Sequence, residues 1–126
     1  MSTSTDRRRA LGAHGEQLAA EHLRRRGFEI VERNYRHRFG ELDLIAADAH
    51  TLVFCEVKTR VLYAGSRDPL ESVHPRKRNQ VRRIAARWLV ERTDRPRVRN
   101  LRFDAIGVTL DLSGSLVRLD HLEGAF

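Results

Sequence analysis

The 126-residue chain carries 24 basic against 17 acidic residues, a formal charge of +7, with 40% apolar and 33% charged side chains. That is enough apolar material for one modest core and too much for a disordered chain, while apolar runs of at most four residues, as at Leu52–Cys55, fall far short of the roughly 20 that span a membrane. A single Cys55 and no four-ligand Cys/His set exclude an internal disulfide and a structural zinc site, and the polar start shows no secretory signal, so a reduced, cytoplasmic domain over residues 1–126 is expected.

In chain order, residues 1–6 should fray. Asp6 can cap a helix running to about Arg26, stopped by Gly27. Leu11, Gly15, Leu18, Ala19, His22 and Leu23 fall on one arc of that helix and should face the core. Gly12 and Gly15 weaken a helix, so close approach to a sheet would explain them. Phe28–Tyr35 reads as a first strand, Glu41–Ala46 as a second and Leu52 to Lys58 or Arg60 as a third, with a turn over Asp48–Thr51. Gly65, Ser66, Asp68 and Pro69 mark a long polar loop. A basic helix follows from Pro75 to about Arg92, with Val81, Ile84, Ala85, Trp88 and Leu89 at core spacing. Leu101–Leu110 and Ser115–Leu119 read as two last strands, and residues 121–126 should fray. The order α-β-β-β-α-β-β implies an α/β fold with a mixed central sheet flanked by helices.

Of the 24 basic residues only Lys58 and Lys77 are lysine. GC-rich coding explains arginine over lysine but not where the charge lies. Between Pro75 and Arg102 eleven basic residues face only Glu91 and Asp94, as expected of a surface that follows a phosphate backbone. A solvated helix face is the plainer alternative.

The second and third strands hold the candidate chemistry. Under strict alternation Glu41, Asp43 and Ile45 share one face, as do Phe54, Glu56 and Lys58. A hairpin whose paired positions sum to 99 leaves Ala49 and His50 at the tip. It sets Asp43 opposite Glu56 and Glu41 opposite Lys58; sums of 97 or 101 keep the same side with an offset. Directly opposed carboxylates repel, so the pair needs a cation, either Lys58 or a shared Mg²⁺. Lysine at position 58, in a chain that otherwise uses arginine, suits a compact amine able to lose its proton when desolvated. Glu16, at the border of the first helix's apolar arc, can approach the same end of the hairpin.

These residues in this order resemble the PD-(D/E)xK nuclease superfamily, and more closely the YraN-like family of small bacterial proteins, similar to archaeal Holliday-junction resolvases. The segments concerned are Gly12–Ala19, Arg33-Asn34-Tyr35-Arg36, Gly40-Glu41-Leu42-Asp43-Leu44-Ile45-Ala46, Phe54-Cys55-Glu56-Val57-Lys58-Thr59-Arg60 and Arg102-Phe103-Asp104. The resemblance implies a restriction-endonuclease-like fold and Mg²⁺ or Mn²⁺ held by Asp43, Glu56 and the carbonyl of Val57. It makes Lys58 the assistant of the attacking water and Glu16 the accessory acid; Gln80, on the helix after the third strand, is left without a role. The implied reaction is hydrolysis of DNA phosphodiester bonds, selective for junctions or branches. Arg36, Arg38 and Arg60 beside the hairpin, and Lys77, Arg82 and Arg83 on the basic helix, would contact phosphates. Cutting two strands as a resolvase does would need a homodimer. Two other readings stand beside it: a nucleic-acid-binding protein without useful catalysis, and an interaction domain serving a DNA-processing protein.

Overall fold

The computed structural model describes residues 3–38, 40–62, 70 and 75–126. Its elements are α1 (Ser4–Arg25), β1 (Glu29–His37), β2 (Gly40–Ala47), β3 (Thr51–Val61), α2 (Pro75–Glu91), β4 (Asn100–Leu110) and β5 (Leu116–Leu122). The expected order α-β-β-β-α-β-β is present. The polar-loop residues Gly65, Ser66, Asp68 and Pro69 lie outside the described residues.

The sheet is mixed and open, with strands in chain order β1-β2-β3-β4-β5. All neighbours are antiparallel except β3 and β4, which run parallel from Thr51↔Asn100 to Val61↔Leu110. A parallel neighbour cannot be reached by a tight turn, and α2 lies in the crossover between them. The β2–β3 hairpin adopts the register that sums to 99, from Leu44↔Cys55 to Ala47↔Leu52. Its tip closes where Asp48 N–H donates to the Thr51 carbonyl and the Asp48 carboxylate accepts from His50 and Thr51 N–H.

Both faces of the sheet are covered. Ala19, Ala20 and Leu23 of α1 pack on Leu44, Ala46, Val53, Cys55, Ile106 and Val108. Val81, Ile84, Ala85 and Trp88 of α2 pack on Leu42, Ile45, Leu52 and Phe54. β3 is therefore apolar on both faces where it is central. Among the described residues no helix is long and apolar enough to cross a membrane.

Two expectations are corrected. The cap of α1 is Thr3: its side chain accepts from Asp6 N–H at 3.1 Å while the Asp6 carboxylate accepts from Thr3 N–H at 3.3 Å. This reciprocal box starts the helix inside the stretch expected to fray and makes Asp6 the third residue of the first turn rather than the cap. The last residues are also held. Phe126 is buried, its carbonyl accepts from Arg82 at 2.9 Å, and Ala125 N–H donates to the Phe103 carbonyl at 2.7 Å. The fully buried Asp104 reinforces this end by accepting from Arg102, His121 and Gly124 N–H.

Gly15 and Gly12 have different reasons. A Cβ at Gly15 would collide with the Thr59 side chain, whereas one at Gly12 meets nothing within 4 Å. Close approach of α1 to β3 thus explains Gly15 alone. Gly15→Val should lower stability by roughly 2–4 kcal/mol through overpacking, and Thr59→Ala should recover part of that loss. Gly12→Ala should instead raise it by about 0.5–1 kcal/mol. Chemical denaturation of the three variants measures the contrast.

Candidate metal and catalytic site

The site forms where β2 parts from β3. The paired register ends at Leu44↔Cys55. One step further, Val57 N–H donates to Asp43 Oδ2 at 2.7 Å. A side-chain oxygen thus takes a donor that a backbone carbonyl would take in a continued ladder. Alternation slips at the same place: Leu42 packs with α2 whereas Leu44 packs with α1. Strict alternation would have put both on one face. On β1, Asn34 lies between the pairs Arg33↔Leu44 and Tyr35↔Leu42, with φ at 53°, a left-handed conformation that asparagine tolerates better than most residues.

The consequence is a close acidic group. One carboxylate oxygen from each of Glu16, Glu41 and Asp43 lies within 4.8 Å of the others. Asn34 ties it together: with its amide oriented to suit its neighbours, the nitrogen donates to Glu16 Oε2 at 3.1 Å and Glu41 Oε1 at 3.0 Å. Arg36 pairs with Glu41 at 3.1 Å, and Arg33 donates to Gln17 at 2.8 Å, beside Glu16.

The electrostatics follow from this crowding. Burial, followed by repulsion from Glu16, Glu56 and Glu41, pushes the Asp43 carboxyl up to about 7 against the pull of the Val57 N–H. Burial and then Glu41 raise Glu16, opposed by Asn34, Arg33 and Arg36. Such a group relaxes when a cation arrives. Burial, then Asp104, Asp43 and Glu56, raises the Cys55 thiol well above its ordinary value, so it is no ready nucleophile.

Glu56 and Lys58 enter from β3. Alternation there is unbroken: Phe54 packs with α2, and Cys55 and Val57 with α1. Glu56 and Lys58 therefore follow the face of Phe54, while Glu16 comes from the opposite helix. Asp43, lodged in the gap, feels both sides. Glu56 is buried, and Lys58 Nζ lies 3.6 Å from its Oε1. Lys58 also lines a groove with Glu16. The expected common face for Glu41, Asp43 and Ile45 does not form, because Ile45 faces α2. Val57 meets Asp43 through its N–H; Gln80 packs beside Gly40, where a Cβ would lie 2.6 Å from its Nε2.

The expected phosphate contacts separate. Arg36 neutralises Glu41, Arg60 is exposed and lines the groove with Lys58, and Arg38 and Arg83 are exposed. Arg82 is committed to the Phe126 carbonyl and lies 4.5 Å over the Phe103 ring. The side chain of Lys77 lies outside the described residues. Much of the basic segment is likewise occupied internally: Arg87 with Glu91, Arg92 with Glu32 and Arg102 with Asp104. Its net charge overstates the cation surface open to a polyanion.

Sequence similarity gives the lineage. The pattern of the family described as "Uncharacterised protein family UPF0102" matches residues 15–108. The chain belongs to that family, also called the YraN family. It is 50% identical to a UPF0102 protein of Nocardia farcinica over 119 residues, covering 94% of this chain and 91% of that one. It is 48% identical to one of Frankia casuarinae over 120 residues, covering 93% and 96%. The match contains Glu16, Asn34, Glu41, Asp43, Glu56 and Lys58, and leaves out the first turns of α1 and all of β5.

Alternation placed Glu41 beside Asp43 without giving it a site role, and Asn34 was not singled out by spacing. Asn34 carried a signal nonetheless: asparagine is poor in strand interiors, so its place within a predicted strand marked an irregularity. The pH prediction follows in sign. A carboxyl raised in the folded state favours the fold while protonated, so metal-free stability should fall as pH rises from about 3.8 and level off above about 7. Asp43→Asn should flatten that fall and raise the thermal midpoint near pH 8 in chelator by roughly 3–8 °C. Asn34→Asp should instead lower the midpoint, with Mn²⁺ restoring part of the loss.

Proposed function

We propose that the protein is a divalent-metal-dependent endonuclease that hydrolyses phosphodiester bonds in DNA, with a preference for branched or junction substrates. The observation that carries this reading is the Glu16, Glu41 and Asp43 group, gathered within 4.8 Å at the point where Asp43 replaces a strand–strand hydrogen bond. Hard carboxylate oxygens in such number fit Mg²⁺ or Mn²⁺, and burial followed by the neighbouring carboxylates raises the Asp43 carboxyl. Asp43 would be the central ligand, with Glu16 and Glu41 beside it and Glu56 available from β3. When bound, the ion supplies the positive charge that polarises a phosphate and makes water more acidic.

The chain's own residues supply the rest. Asn34 donates to one oxygen of each glutamate, and Arg36 takes the second oxygen of Glu41. Val57 N–H fixes Asp43. Lys58 brings an ammonium to the mouth of the site, where it can hold a phosphate oxygen or orient water. Its ion pair with Glu56 sets its position. Arg60 supplies an exposed charge one turn of strand further on. The order of these residues is that of the PD-(D/E)xK pattern, which supports the same chemistry.

Calorimetric Mn²⁺ titration and incubation with linear, nicked, flapped and four-way DNA test this reading. Wild-type protein should bind Mn²⁺ and cut at least one branched substrate. Asp43→Ala should lose both, with activity down by ~10²-fold or more. Lys58→Ala should keep the metal and lose activity. Intact substrates in saturating Mn²⁺, with DNA affinity unchanged by Asp43→Ala, would replace the nuclease with a binding protein.

A further inference from the structure

A groove runs away from the acidic group along the N-terminal half of α1. Its first part, of about 430 Å³, lies among Arg8, Leu11, Gly12, Glu16, Lys58 and Arg60. A second part, of about 440 Å³, shares Leu11 and Val61 with the first and continues to Arg7 and Leu112. Its floor is aliphatic, with Leu11, Val57 and Val61, and Leu112 at the far end is 84% exposed. Its rim carries Arg7, Arg8, Lys58 and Arg60 against Glu16 and Asp111, so cations predominate.

We infer that this groove seats a single-stranded DNA segment leading away from the metal site, so that the preferred branched substrate is one with a single-stranded arm. This rests on the nuclease reading for what happens at the acidic end, not for the binding itself. The argument is one of complementarity. Arg7, Arg8 and Arg60 match a phosphate backbone, and the aliphatic floor matches base faces. A duplex keeps its base faces stacked inside and offers only phosphates to such a surface, so the floor favours a single strand. Lys58 and Glu16 stand at the end of the groove nearest Asp43, so a strand lying in it delivers a phosphate to the site. The basic face of α2, already engaged by Phe126, Glu91 and Glu32, is a poorer track.

Gly12 makes the inference testable, because it lines the groove and a Cβ there meets nothing within 4 Å. Binding of fluorescent oligonucleotides of about 12 nucleotides is read by anisotropy in chelator, where no cleavage occurs. The wild type should bind the single strand ~10-fold or more tighter than a blunt duplex of the same length. Gly12→Phe should weaken single-strand binding by ~10-fold while leaving the thermal midpoint unchanged or raised. Arg8→Ala and Arg60→Ala should each weaken it and reduce the salt slope by about 1, whereas Arg87→Ala, on α2 and paired with Glu91, should leave both nearly unchanged. Equal affinity for duplex and single strand, or Gly12→Phe binding as wild type, would overturn the groove assignment. Because no metal is present, either result is separable from loss of cleavage, which bears on the nuclease reading alone.

Discussion

The hydrogen bond from Val57 N–H to Asp43 Oδ2, 2.7 Å long, organises this molecule's chemistry. A β-ladder ordinarily uses its amides on carbonyls. Where a carboxylate takes one instead, the two strands must separate, and the acid is fixed between them and only partly solvated. That single exchange places Asp43 where α1 can bring Glu16 and where β2 carries Glu41. It also leaves the next residues of β3, Glu56 and Lys58, at the border of the same gap. Burial of an acid in this way costs stability, and the cost falls on residues whose separation from one another the fold could easily have arranged. Destabilised clusters of this kind are characteristic of functional sites.

The surrounding residues limit that cost without removing it. Asn34, in a left-handed conformation, offers one amide to two carboxylates. Arg36 covers Glu41 from outside. Neither adds a charge inside the group, so room for a small cation is retained. Elsewhere the arginine-rich composition serves the fold: Arg92 forks onto Glu32 beside Trp88, and Arg102 onto the buried Asp104. Part of the charge between Pro75 and Arg102 is thus taken up by internal ion pairs.

Much of this architecture was legible in the residues. Apolar periodicity marks both helices, and the two-residue tip at Ala49 and His50 sets the β2–β3 register. The Glu16, Asp43, Glu56 and Lys58 positions stand out by type and spacing. What periodicity could not supply was the slip at Asp43. An ideal alternation puts Glu41, Asp43 and Ile45 on one face, whereas the parted strands turn Ile45 to α2 and gather Glu41 with Glu16 instead. The helix ends differ for a local reason, since the Thr3–Asp6 box is settled by side-chain hydrogen bonds that hydrophobic pattern does not register. Ordering of the last residues depends on long-range partners, Arg82 and Phe103, which lie far away in sequence.

The central claim is that the carboxylates gathered at the strand gap are a divalent-cation site. Anomalous diffraction from crystals soaked in Mn²⁺ addresses it directly. A single strong peak bridging Asp43 to Glu16 or Glu41 is the predicted result, and it should vanish in Asp43→Asn crystals that retain the fold. Saturating Mn²⁺ without a peak in that gap, or with its only peak at another site, would contradict the account.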